Sequence, residues 1–225
     1  MLDPIITKGT LNFLIQLKKN DNREWFTENK PEFKTHEQSV KAFFEAVAGK
    51  LGAHDEIEKT KMFRIYRDVR FSKDKTPYKA HLAGSFSRAG AQRRGGYYLH
   101  IKPGDSFLAT GFWNPNKHDL LRIRKELEQD ASEMREIISK SSFKKVWGEL
   151  QGDELKTAPK GFDKEHKDID LIKKKQFIFT RKLLDKEVLS PNFAEEVDKA
   201  YSAIRPFFDY MSDVLTTNLN GESLL

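Results

Sequence analysis

The sequence predicts an α+β protein in which a mainly antiparallel sheet of about four to five strands packs against N-terminal and C-terminal helices. Three observations predict it. Apolar residues recur with helical spacing over the first fifty residues and again beyond Asn116. The period drops to two between about Lys61 and Trp113. The strands of that central stretch follow one another through links too short for parallel crossovers. No internal repeat or low-complexity linker divides the chain, so a single domain over residues 1–225 is expected.

Leu11, Leu14 and Leu17 mark a first helix, closed by the polar run Asn20-Asp21-Asn22. Asn22 can cap a short second helix carrying Trp25 and Phe26, because its side-chain oxygen suits the free N–H groups of a first turn. Pro31 opens a longer helix whose stripe is Phe33, Val40, Phe43, Phe44, Val47 and Leu51, ending near Gly52. A strand is expected over Met62–Phe71, with Phe63, Ile65, Arg67, Val69 and Phe71 on one face and Arg64, Tyr66, Asp68 and Arg70 on the other. Residues 72–78 read as a polar loop, His81–Arg88 as a second strand, and 89–96 as a Gly-rich basic loop. Tyr97–Lys102 and Phe107–Trp113, joined by Pro103-Gly104-Asp105-Ser106, read as a hairpin.

The remainder returns to helix. One helix is expected over Asn116–Ser139 and another over Ser142–Leu150, stopping near Gly152; Leu155–His166 is an irregular loop. Phe177–Lys182 alternates as a last strand. Ser190-Pro191 starts a helix, since proline at the first helical position loses no useful N–H. Phe193, Val197, Tyr201, Ile204, Phe208, Met211 and Leu215 then face the core, with a kink at Pro206.

Composition excludes several function classes. There is no cysteine, which removes disulfides, iron–sulfur clusters, thiolate zinc and cysteine nucleophiles. No apolar run is long enough to span a membrane, and the N-terminus MLDPIITKGT has no signal-peptide pattern, so a soluble cytoplasmic protein is expected. The net charge is +6 and is unevenly placed: from Lys61 to Arg94 ten Lys and Arg face only Asp68 and Asp74. Such a local excess suggests an anion site more than a general polyanion coat.

The segment RIYRDVRFSKDKTPYK, Arg64–Lys79, carries most of that charge and threads Ile65, Val69, Phe71 and Tyr78 through it. Arg67, on the apolar face of the expected strand, is either a buried structural ion pair or a binding arginine presented from a rigid strand; either way it needs a carboxylate or carbonyl partner. Arg64 and Arg70 flank Asp68 on the other face, where two guanidiniums can clamp a carboxylate or phosphate, or merely face solvent. Lys73, Lys75 and Lys79 add ammonium groups, Tyr78 a phenol, and Asp74 a carboxylate that can orient a lysine or act as a base. His81 and His100 fall on strands that can be adjacent, and each is a candidate acid or base or an ordinary structural histidine. No phosphate-loop, dinucleotide, zinc-protease, nucleophile-elbow or calcium-loop motif occurs, and no metal-ligand spacing is present.

The segments NREWFTENK (Asn22–Lys30), RIYRDVRFSKDKTPYK, GGYYLHIKP (Gly95–Pro103), GFWNP (Gly111–Pro115) and PKGFDKEH (Pro159–His166) carry a resemblance along nearly the whole chain. The chain resembles the uncharacterised family called domain of unknown function 2461. That resemblance implies an intact cytoplasmic α+β protein of a kind widespread in bacteria, and it transfers no catalytic residue and no cofactor. Three functions stay open: binding or acting on a small anionic ligand, a purely structural signature in an interaction or scaffold protein, and nucleic-acid binding through the basic sheet face and the 88–96 loop.

Overall fold

The structure, a computed structural model, describes residues 3–225. Among them a five-stranded antiparallel sheet forms in sequential order: β1 (Ile57–Met62), β2 (Leu82–Arg88), β3 (Gly96–Ile101), β4 (Ser106–Phe112) and β5 (Phe177–Leu183). Before the sheet come α1 (Lys8–Lys19), α2 (Arg23–Glu28) and α3 (Lys30–Leu51). Between β4 and β5 lie α4 (Lys117–Gln129), α5 (Ser132–Ser139), α6 (Ser141–Trp147) and the short α7 (Ile169–Ile172). After β5 come the short α8 (Asp185–Val188), then α9 (Phe193–Ala203) and α10 (Arg205–Thr216). No helix among the described residues is long and apolar enough to cross a membrane.

The chain folds as two compact units. The first takes the described residues up to Phe86, then Tyr98–Leu108 and Lys182–Lys199. Its helices start where the sequence places caps: the Asn22 side chain accepts the Trp25 N–H at 2.9 Å, and Pro31 sits in the first turn of α3. The predicted stripe of α3, from Phe33 to Leu51, is buried throughout. Phe43 stacks on Phe193 and Phe44 on Phe86, at 5.2 and 5.5 Å between centroids, which joins α3 to the start of α9 and to β2.

The second unit takes Ser87–Tyr97, Ala109–Arg181 and Ala200–Leu225. Its core gathers Phe143, Phe179 and Phe207 in edge-to-face contacts, and the Trp147 indole N–H donates to the Ala200 carbonyl at 3.1 Å. Arg88 is buried here with a carbonyl (Arg94 O, 2.8 Å) and the Phe208 ring beside its guanidinium. The helix expected over Asn116–Ser139 is two helices. The Asp130 carboxylate accepts the Ser132 N–H at 2.9 Å, and that local bond breaks the first and starts the second. The next helix stops at Trp147 rather than Leu150, because Gly148 takes a left-handed φ of 68°. Pro206 produces a break between α9 and α10 and sits in the first turn of α10.

Candidate anion-binding site

The signature does not form the expected strand over 62–71. The strand lies earlier, at Ile57–Met62, and pairing with β2 ends as the Phe63 N–H donates to the Ala83 carbonyl at 2.8 Å. Beyond it the chain makes a narrow neck, with Tyr66 bridged to Tyr78, the Arg67 N–H donating to the Pro77 carbonyl and the Lys79 N–H to the Ile65 carbonyl. Residues 68–76 loop out from this neck. Side chains bind backbone N–H groups two positions on: Asp68 accepts from Arg70, Ser72 from Asp74, and Asp74 from Thr76. These Asx- and Ser-type turns take the N–H groups that a ladder would use, which is why the apolar alternation fails here.

The neck is anchored from below. Ile65 and Tyr78 are buried, Tyr78 stacks on Phe26 of α2 with centroids 4.0 Å apart, and its N–H donates to Asp21 at 3.0 Å. The cap on α2 at Asn22 and the neck are thus two halves of one construction, which accounts for NREWF and RIYRDVRFSKDKTPYK standing together in one chain.

Arg67 is therefore not the buried residue the strand register predicted. Its side chain is 38% exposed; it donates from Nε to the Tyr78 carbonyl at 2.7 Å and from a terminal nitrogen to Asp74 at 2.5 Å. Its expected face partners separate: Phe71 is 96% exposed at the loop tip, and Val69 is half-buried. Arg70 spends its guanidinium on Asp68, bidentate at 2.9 and 2.7 Å, so those two residues form a pair inside the loop instead of an open clamp with Arg64. The Arg70 hydrogen bond holds the Asp68 carboxyl below its ordinary range, and the Thr76 hydroxyl, ahead of Arg67, does the same for Asp74. Lys75 ties the loop to the Val69 carbonyl at 2.9 Å, and Lys73 stands exposed.

The residues that do converge lie at the foot of the neck and on the neighbouring strands. His81, just before β2, and His100, in β3, meet with ring centroids 4.1 Å apart. Strand alternation puts Tyr98 and His100 on one face of β3, with Lys102 next in that spacing just past its end, opposite buried Tyr97, Leu99 and Ile101. The Tyr98 hydroxyl lies 3.0 Å from His100 Nδ1, and Phe107 of β4 stacks on the same ring at 4.6 Å. Burial keeps the Tyr98 phenol protonated, so when it donates to Nδ1 the His100 proton resides on Nε2.

Both imidazoles are pushed down to about 4. Burial is the first cause for each; His100, Lys79, Lys102 and Arg67 add to it at His81, and Lys102 adds to it at His100. The lysines and arginines that act here are mutually crowded too. Lys79 is lowered by burial and by Arg64 and Arg67, and its ammonium is held by the Arg64 carbonyl at 3.1 Å. Asp105 answers Lys102 at 2.6 Å, while Arg64 itself is exposed. The arrangement is a pair of neutral imidazoles on which Lys79, Lys102 and Arg67 act against Asp105 alone, which suits an incoming anion: it relieves the cationic repulsion and favours protonating a ring. Among the described residues no three His, Asp or Glu side chains converge as a metal site would require.

Of the sequence-predicted residues, Arg67, Lys79, His81 and His100 share this neighbourhood; Arg64 meets it only through Lys79; Asp68, Arg70, Lys73 and Lys75 stay in the loop; Asp74 serves Arg67; and Tyr78 is a packing residue. Lys102 and Tyr98 were missed as site members. The signal that finds them is period-two spacing from His100, which places both on its face.

An antiparallel sheet with its helices before β1 and after β4 defines the class, an α+β protein. The chain belongs to the family described as conserved hypothetical protein (DUF2461), whose pattern matches residues 9–210. No curated protein and no solved structure matches the chain.

Proposed function

We propose that this protein binds or acts on a small phosphate- or carboxylate-bearing ligand at the His81–His100 pair, with Arg64, Arg67, Lys79 and Lys102 supplying the attraction. The observation that carries the reading is the pair itself: two imidazoles in ring contact, both held neutral, with Lys79, Lys102 and Arg67 acting on them, of which Lys79 has no carboxylate partner among the described residues. An excess of cations around desolvated neutral bases is costly to maintain and is offset when an anion arrives. A neutral imidazole there can donate one proton or accept one, which fits general acid or base work on the bound group as well as simple binding. A chain without cysteine needs no oxidising compartment to form disulfides, and we place this activity in the cytoplasm.

The test is titration of the imidazole NMR signals with inorganic phosphate, sugar phosphates and dicarboxylates, alongside thermal melting. Ligand binding should shift the His81 and His100 signals, raise the melting temperature by mass action, and strengthen from pH 8 to pH 6 as the anion draws a proton onto the pair. Silence of both rings at millimolar anion would overturn the reading.

A second reading has its own support. Arg67–Asp74, Arg70–Asp68 and the Tyr78–Phe26 stack make much of the signature a self-contained structural device, as an interaction or scaffold protein would use. Nucleic acid comes third: Phe63, Tyr98 and Phe107 form a row with Lys61 over the Phe63 ring, but their rings are half-buried and pack on each other.

A further inference from the structure

A cavity of about 390 Å³, within the range of small-molecule sites, is lined by Ala80, the residue before His81, and by Lys102. Leu14, Ile15, Lys18 and Lys19 of α1 form one wall, and Ala80 and Lys102 belong to the other. Ala80 stands between Lys79 and His81 in the chain. Lys102 stands two residues beyond His100, on the same side by strand alternation, so the cavity is lined by neighbours of both imidazoles. Lys18 and Lys19 end α1, where the helix dipole favours cations, and neither has a carboxylate partner among the described residues. Ile15 is 38% exposed, an apolar surface left open between two sets of cations.

We propose, resting on the anion-binding reading above, that the ligand is a two-headed anion. One acidic group sits at His81 and His100, an apolar body lies across Leu14, Ile15 and Ala80, and a second acidic group meets Lys18 and Lys19. The cavity supplies apolar wall where a simple inorganic anion needs none, and the two cationic ends are complementary to charge separated by a spacer. Linking two heads makes the second contact intramolecular, so affinity should depend on spacer length.

The experiment compares ethylphosphonate with alkane-α,ω-bisphosphonates of graded length, reading affinity from the His81 and His100 NMR signals. One spacer length should bind about tenfold or more tighter than ethylphosphonate. In a Lys18→Gln/Lys19→Gln variant that gain should vanish while ethylphosphonate affinity stays put; both lysines are exposed, so the variant should fold. Equal affinity at every length, or equal weakening of both probes in the variant, would overturn the two-headed ligand and leave single-anion binding intact. If neither probe moves the histidine signals, the anion-binding reading and this inference fall together.

Discussion

One lysine bears on how readily His81 takes a proton, and a single substitution separates that charge from burial. Lys79 acts on His81 but is not among the charges acting on His100, which responds to Lys102 and Asp105. Lys79→Met should therefore raise the His81 pKa from about 4 toward its ordinary value and leave His100 nearly unmoved. Because burial is the first cause, His81 should still titrate below a free imidazole. An NMR pH titration of both rings checks this, and equal movement of the two would mean that the pair responds as one body to any nearby charge. At this scale the sequence was half legible. The residue types of the site and the nearness of His81 to His100 could be read, because both follow from composition and strand order. The register of Arg67 could not, since it hung on Asp68, Ser72 and Asp74 capping backbone two residues ahead, which alternation of apolar residues does not encode.

At the level of elements, packing leaves β2 no room for a side chain at Gly84. A Cβ there would meet the Phe44 ring of α3 and come within 2.6 Å of the Lys61 carbonyl oxygen. Backbone cannot retreat as a flexible side chain can, so Gly84→Ala should destabilise the protein by about 1–3 kcal/mol. Gly49, inside α3 with open space around its Cβ position, is the control: Gly49→Ala should stabilise by about 0.4–1 kcal/mol. Denaturant unfolding of both variants decides the matter, and a harmless Gly84→Ala would mean that α3 sits farther from β1 and β2 than described. The N-terminal helices and the β3–β4 hairpin were legible because their apolar stripes and turns are strong, whereas the break at Asp130 within 116–139 was not. β1 was not: Ile57–Met62 reads IEKTKM, an end strand of the sheet whose charges are mostly exposed, so no alternation announces it. Short α7 and α8 carry too few residues for a period to show.

For the whole molecule, the imidazole pair ties stability to pH. Each ring titrates at about 4 when folded and near 6.5 when free, so between those values the unfolded chain binds protons that the folded chain refuses. Stability from this source is complete above about pH 6.5 and is lost as pH falls toward 4; after discounting for solvent that reaches the pair, the loss is on the order of 1–2 kcal/mol per ring. A second decline should begin lower. Asp68, Asp74 and Asp105 are held below the ordinary carboxylate range by hydrogen bonds from Arg70, Thr76 and Lys102, so their contribution is present above about pH 3.8 and disappears below it. Urea unfolding from pH 8 to pH 3 should therefore show two separate steps of weakening. In His81→Gln and His100→Gln variants the upper step should shrink while the lower one remains, because Arg70, Thr76 and Lys102, the first cause at each of the three carboxylates, are untouched. Saturating phosphate should act in the same direction by a different route: an anion seated on the pair lifts both ring values toward 6.5, so the slope between pH 6.5 and 4 flattens in its presence. An upper step unchanged by either histidine substitution would place the neutral rings elsewhere and remove the basis for an anion site at this point on the sheet.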